Sequence, residues 1–164
     1  IVLGDYREAR GSYDTVASIE MFEAVGERYW PTYFRTVFDR LRPGGVASIQ
    51  MITVAENLFE SYRRSTDFVQ KYIFPGGMLA APSVARCYAE AAGLVHSRSM
   101  EFGESCSRTL RAWPPSFKEH WGEVARLGFD DRFRRMWSVY LTSCAACFAA
   151  GTTDVTQITL RRPS

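Results

Sequence analysis

An α/β fold built on a mainly parallel sheet is what this sequence predicts, and three observations predict it. Apolar segments of strand length alternate with longer segments of helical period, in the order β-β-α-β-α-α-β-α-α-β. The run Tyr13 to Ile19 reads as apolar along most of its length, as a parallel strand covered on both faces should. The breaks carry Gly and Pro where caps and turns need them, at Pro43-Gly44-Gly45, Pro75-Gly76-Gly77 and Gly93.

The elements follow in order. Ile1 to Leu3 is short and apolar and reads as the end of a strand, closed by Gly4-Asp5; Glu8 to Ser12 is a loop. Tyr13 to Ile19 is a strand, and Met21 to Val25 starts a helical turn. Tyr29 to Leu41 places Tyr29, Tyr33, Phe34, Val37, Phe38 and Leu41 on one helical face, with Pro31 tolerated in the first turn. Pro43-Gly44-Gly45 stops that helix and leads into a strand from Val46 to Val54. Glu56 to Asp67 and Phe68 to Phe74 read as helical insertions over the sheet's edge. Pro82 to Ala92 is a helix with Gly93 just past its end, and Leu94 to Glu101 a weakly alternating strand. Ser107 to Arg126 is a helix with a break expected at Pro114-Pro115. Asp131 to Ala150 is a long helix with Phe133, Met136, Trp137, Tyr140, Leu141, Cys144 and Phe148 on one stripe. Val155 to Arg161 is the last strand.

The totals bound the function. A chain of 164 residues, 46% apolar, with four Trp, eight Tyr and eleven Phe, supports one packed domain. A net charge of +2 gives no case for nucleic acid, although Arg63-Arg64, Arg134-Arg135 and Arg161-Arg162 could meet anionic lipid. No apolar run approaches the roughly 20 residues that span a bilayer. Cys87, Cys106, Cys144 and Cys147 fit no disulfide scaffold, so reduced thiols in a cytoplasmic protein are expected. Cys144-x-x-Cys147 lacks a second ligand pair for zinc and sits mid-helix, the wrong place for a redox motif, so no metal is expected.

Three stretches stand out: Ser18-Ile19-Glu20-Met21-Phe22-Glu23-Ala24-Val25-Gly26 at the carboxyl end of a strand, Arg42-Pro43-Gly44-Gly45 before the next strand, and Tyr72-Ile73-Phe74-Pro75-Gly76-Gly77. The carboxyl ends of strands are where open α/β sheets place ligands. Together the three resemble the cyclopropane-fatty-acyl-phospholipid synthase family of S-adenosylmethionine-dependent methyltransferases, over nearly the whole chain and only the later part of the family's fold. The resemblance implies a Rossmann-like class I methyltransferase fold. Residues 1–164 would then be the C-terminal part of a single methyltransferase domain, with the N-terminal strands and the Gly-rich cofactor loop missing. No G-x-G-x-x-G turn occurs in the sequence, and the start at Ile1 fits a chain cut from something longer.

By the same resemblance Asp5, Tyr6 and Arg7 flank the adenine of S-adenosylmethionine, with Ser18 and Glu20 near the cofactor. Glu23 helps hold a bicarbonate ion beside the sulfonium methyl; on position alone it could equally be a helix N-terminal carboxylate favoured by the macrodipole. Gln50 by side chain and Ile52 by backbone would add two contacts to that anion. Gln50 stands where many members carry His, and Gln cannot shuttle a proton near neutral pH. Cys106 stands where the family carries a Tyr that reaches the bicarbonate, so the product could be a methylated or methylene chain instead of a ring. Cys144 matches a cysteine regarded as an active-site candidate; its stripe also suits a buried small hydrophobe. Tyr72 to Gly77 would wall an acyl-chain channel. His96 and His120 match no catalytic position.

The implied activity is methyl transfer to the double bond of an unsaturated fatty acyl chain of a phospholipid, by an enzyme peripheral to the membrane; a homodimer is compatible with it. Two alternatives stay open: the same fold acting on a non-phospholipid acceptor, and a catalytically inactive lipid-binding homologue serving as partner subunit.

Overall fold

The computed structural model describes residues 3–164. Ile1 and Val2, read above as part of a strand end, lie outside the described residues; Leu3 is fully exposed and in no strand. Four strands form one sheet: β1 (Tyr13–Ile19), β2 (Leu41–Val54), β3 (Val95–Glu101) and β4 (Thr153–Arg161), in the order β1-β2-β4-β3. β1 and β2 pair in parallel, whereas β4 runs antiparallel to both β2 and β3. Three strands therefore share a direction and one is reversed between them. The sheet is mixed where the sequence suggested mainly parallel pairing. The reversed strand, β4, is the last in the chain and lies between β2 and β3.

Helices α1 (Phe22–Val25) and α2 (Trp30–Arg40) link β1 to β2. Short helices α3 (Phe59–Tyr62) and α4 (Phe68–Tyr72) and then α5 (Pro82–Ala91) lead to β3. Helices α6 (Gly103–Glu119), α7 (Trp121–Arg126) and α8 (Asp131–Ala149) lead to β4. Pro31 and Pro82 each sit in a helix's first turn, where the missing N–H costs nothing.

β2 shows why the sheet has a covered and a less covered face. Ala47, Ile49 and Met51 are buried, while Ser48, Gln50 and Ile52 are half-buried. The buried set meets Ile158, Leu160, Phe34, Val37, Ala85 and Ala89, so the core lies between the sheet and the pair α2–α5. A second, smaller cluster of Leu110, Leu141 and Ala145 joins α6 to α8. Two buried hydroxyls, Thr53 and Thr156, satisfy each other at 2.9 Å.

Two expectations are corrected. β1 is not covered on both faces: its residues are exposed or half-buried throughout, and Ile19 is 66% exposed. Its one strand partner among the described residues is β2, and an apolar run cannot tell an edge strand from a central one. The second correction concerns α6, which begins at Gly103, not Ser107, and runs through Pro114 and Pro115 to break at His120. Its start is set by Asp154, whose carboxylate accepts from the Gly103 N–H at 2.7 Å, a cap supplied 51 residues away. Leu110, one turn before the prolines, packs α6 against Leu141 and Ala145 of α8.

The turn that the sequence placed before β2 is built into the strand. Register slips between Tyr13↔Leu41 and Thr15↔Val46, so Arg42 to Gly45 bulge past β1, closed by an Arg42–Asp14 ion pair at 2.9 Å. Gly45 has no room for a side chain: a Cβ would stand 2.9 Å from the Arg42 carbonyl oxygen and 3.1 Å from that of Asp14, both backbone. Gly45→Ala is expected to cost about 1–3 kcal/mol, read as a lowered midpoint in thermal unfolding.

Candidate active site

The carboxyl ends of β1 and β2 open onto a cavity of about 360 Å³. Its wall is mostly apolar: Phe74, Met78 and Leu79 from the segment after α4, Tyr140, Cys144 and Phe148 from α8, and Ile52 from β2. Glu20 and Glu23 face it from the end of β1 and from α1. Such an apolar hollow with a few convergent polar groups is the usual form of a small-molecule site.

Glu23 is placed by aromatic packing. The residue before it, Phe22, is fully buried and stacks on Trp30 at 5.3 Å, with Tyr33 and Phe34 also against it. That anchor fixes α1, a helix too short to be stable alone. One carboxylate oxygen of Glu23 accepts the Ile52 N–H in a short hydrogen bond; the other, Oε2, is buried with no partner. Burial raises the Glu23 pKa above the ordinary carboxylate range, opposed by the Ile52 amide and augmented by the charge of Glu20. A protonated Glu23 would donate a hydrogen bond from Oε2, so the residues present fit an oxyanion at this point. The Glu23 carbonyl accepts the Met78 N–H at 2.9 Å, which ties the Pro75-Gly76-Gly77 turn to α1. The Val54 N–H donates to the Ala80 carbonyl, tying the same segment to β2.

Gln50 is half a layer behind. Its amide Nε2 donates to Glu20 Oε1 at 2.8 Å, and its Oε1 accepts from Gln157 Nε2 at 2.7 Å. A carboxylate only accepts, so Glu20 dictates the direction of both amides. Gln157 lies directly across β4 from Gln50, so the chain Gln157–Gln50–Glu20 depends on strand register. Glu20 also sits in left-handed backbone, at φ +52°.

Ser18 accepts the Tyr33 hydroxyl at 2.7 Å, and burial pushes the Tyr33 phenol well above its usual value. Asp5 caps the turn Tyr6–Glu8, and its carboxylate takes both the Arg7 N–H and the Arg7 guanidinium. The Arg7 hydrogen bonds lower the exposed Asp5 to about 2. Tyr6 packs edge-on against Tyr33 at 5.8 Å. The described residues thus offer a ring and carboxylates at the β1 end, and no Gly-rich turn joins a strand to a helix among them.

Of the residues singled out in the sequence, Glu20, Glu23, Ile52 and Cys144 share the cavity wall, together with Phe74 and Gly77 of the Tyr72 to Gly77 stretch. Gln50 and Cys106 do not reach it. Cys106, half-buried on α6, has a thiol raised by burial and by the charges of Glu20 and Asp154. Burial pushes the Cys144 thiol, which faces the cavity from α8, up to about 11. Phe133 and Trp137 stack along α8 outside the wall. Sequence reasoning missed Tyr62, Asp67 and Gln157. The first two lie in a polar stretch that carries no periodic signal, and Gln157 shows only as a lone amide in a strand rich in β-branched residues.

The geometry can be set beside known proteins. Residues 1–158 match the family model described as mycolic acid cyclopropane synthetase. The chain is 40% identical over 99% of its length to tuberculostearic acid methyltransferase UfaA1 of Mycobacterium tuberculosis, of which it covers 38%. It is 33% identical over 99% of its length to the cyclopropane-fatty-acyl-phospholipid synthase of Escherichia coli K12, covering 41% of that protein. It spans about two fifths of the length of these relatives. Among solved structures it resembles mycolic acid cyclopropane synthase CmaA1 complexed with SAH and CTAB, with a TM-score of 0.89 and 25% identity over 98% of this chain and 59% of that one.

Proposed function

The chain belongs to the mycolic acid cyclopropane synthetase family, and on that premise we propose that it serves S-adenosylmethionine-dependent methyl transfer to the double bond of an unsaturated fatty acyl chain of a phospholipid. The product is a cyclopropane, or a methylated or methylene chain. One observation carries the reading: a buried carboxylate oxygen, Glu23 Oε2, stands without a partner in the wall of an otherwise apolar cavity.

When bound, S-adenosylmethionine supplies an activated methyl group and bicarbonate a base for the proton that ring closure releases. The chain's residues do the rest. Ile52 holds one oxygen of Glu23 and leaves the other, buried and unpartnered in a residue of the cavity wall, free to anchor an oxyanion when the carboxyl is protonated. Phe74, Met78, Leu79, Tyr140 and Phe148 surround an acyl chain and exclude water, which strengthens every charge interaction inside. Glu20 adds negative charge where positive charge develops, and Tyr6, with Asp5 and Arg7, supplies the adenine side. No helix among the described residues is long and apolar enough to cross a membrane, and a peripheral position at the bilayer surface suits an enzyme acting on lipid.

A second reading, a lipid-binding partner without activity of its own, is favoured by one observation: Cys106, at the family's Tyr position, does not reach the cavity. Isotopically labelled S-adenosylmethionine with vesicles containing monounsaturated phospholipid separates the two: label in the lipid supports the enzyme, and absence of both labelling and cofactor binding supports the partner. Cys106→Tyr is expected to raise the share of ring product over methylated and methylene products by mass spectrometry of the lipids. An unchanged share counts against an anion held at Glu23.

A further inference from the structure

One turn of the molecule is apolar where turns are ordinarily polar. Between α7 and α8 the chain reverses at Gly128, with φ +96°, and presents Leu127 79% exposed beside Phe129 43% exposed. The Phe129 ring lies 4.3 Å from Phe133, Phe133 is stacked 5.6 Å from Trp137, and Trp137 is 5.0 Å from Tyr140. Tyr140 in turn meets Phe74 edge-on at 6.1 Å, and both of these line the cavity. Five rings thus run without a gap from an exposed turn to the site.

The stripe borders the buried seam of α8. That seam is Leu141 and Ala145; Trp137 and Tyr140 pack against it while staying half-buried, and Phe133 is half-buried beyond it. The charges around the turn are mixed. Asp130 caps α8 by accepting the Phe133 N–H, and Asp131 lies 4.0 Å from Arg134, itself over the Trp121 ring. Arg126, Arg132 and Arg135 form no ion pair among the described residues. Glu123 of α7 likewise forms no ion pair among the described residues, so from Glu123 to Arg135 four arginines stand against three acidic residues, a small positive excess beside the apolar tip. An exposed apolar turn with unpaired arginines near it in the chain is the form of a surface that enters an anionic leaflet.

We propose that the turn Leu127–Gly128–Phe129 inserts into an anionic lipid bilayer, and that the aromatic stripe behind it guides an acyl chain from the leaflet to the cavity. The proposal rests on the acyl-chain reading of that cavity. Tyrosine and tryptophan suit the passage because their rings are at home at the boundary between lipid and water.

The test is sedimentation of the protein with phosphatidylcholine vesicles, with and without phosphatidylglycerol. Binding is expected to need phosphatidylglycerol, and Leu127→Asp/Phe129→Asp is expected to weaken it roughly tenfold or more. Arg132→Ala/Arg135→Ala should weaken it only on the anionic vesicles. Val139→Ser, at an exposed apolar position of α8 away from the stripe, should not change it. Leu127→Trp should give a blue-shifted emission on vesicles, which reads the turn's insertion without removing anything. Unchanged binding by the double Asp variant at an unchanged melting temperature, or no blue shift, overturns the proposal. A monomeric acyl ester measured against the same variants keeps the two readings apart. Binding of the ester with vesicle binding lost confirms the turn as the entry point. Vesicle binding by the wild type without ester binding leaves the turn as a membrane contact and removes the acyl-chain reading.

Discussion

Glu23→Gln is expected to lower kcat for methyl transfer by about 10²–10⁴-fold while leaving the fold intact. The amide oxygen can still accept the Ile52 N–H, so the side chain keeps its place. What disappears is a group that can hold a proton or a charge in response to its surroundings. Single-turnover methyl transfer measures the loss directly; a kcat unchanged by this substitution would remove Glu23 from the chemistry.

The same variant reads the burial of the carboxyl through stability. Burial raises the native pKa of Glu23, so the folded protein holds its proton more tightly than the unfolded chain does. Below about pH 4, the ordinary carboxylate value, the group is protonated in both states and the site's contribution is fully present. As pH rises through the raised native pKa, ionising a buried oxygen with no partner destabilises the fold. Glu23→Gln has no such loss. The melting temperature of the variant should therefore gain on that of the wild type as pH rises from about 4, then hold a constant lead above the native pKa. A difference that does not vary with pH would mean that the carboxyl is not desolvated.

The largest stability effect is expected at Trp30. Its side chain is 0% exposed and touches Phe22, Phe59 and Tyr88. Trp30→Ala should cost about 3–5 kcal/mol, a fall in melting temperature on the order of 10 °C for a chain of this size. Trp30→Phe should cost much less, for two reasons. It keeps a ring against Phe22, and it removes the indole N–H, which is buried without an acceptor. Because Phe22 is the one buried residue of α1, loosening its stack also frees Glu23. Trp30→Ala should then lower kcat even well below its melting temperature, and Trp30→Phe should not. Equal losses of stability in the two variants would show that ring packing is not what holds this corner.

Much of this arrangement was legible in the residues because its signals are local. Pro31, Pro82 and Gly93 mark helix ends with chemistry that acts within one turn, and the boundaries read from them fall within a residue or two of those observed. Glu23, Ile52 and the Phe74–Gly77 turn were found through a resemblance, and the structure brings them to one wall. What stayed hidden depends on contacts far apart in sequence. The start of α6 is capped by Asp154, a partner no window of neighbours contains. The exposure of β1 depends on which strands flank it, which its own apolar run does not record. Gln157 reaches Gln50 only because β4 lies beside β2 in one particular register. The indole of Trp30 falls outside the stripe traced from Tyr29, yet it is fully buried against Phe22, Phe59 and Tyr88.

The left-handed backbone at Glu20 favours replacement by glycine in a way the backbone of its neighbours does not. Most side chains resist φ near +52°, at a cost of roughly 1 kcal/mol, whereas glycine adopts it without strain. Glu20→Gly would discard the carboxylate, release Gln50 and leave the loop at ease. A single exchange at the cavity's rim can thus retune its electrostatic character with little penalty to the scaffold, a ready route by which close descendants of this sequence could diverge in selectivity.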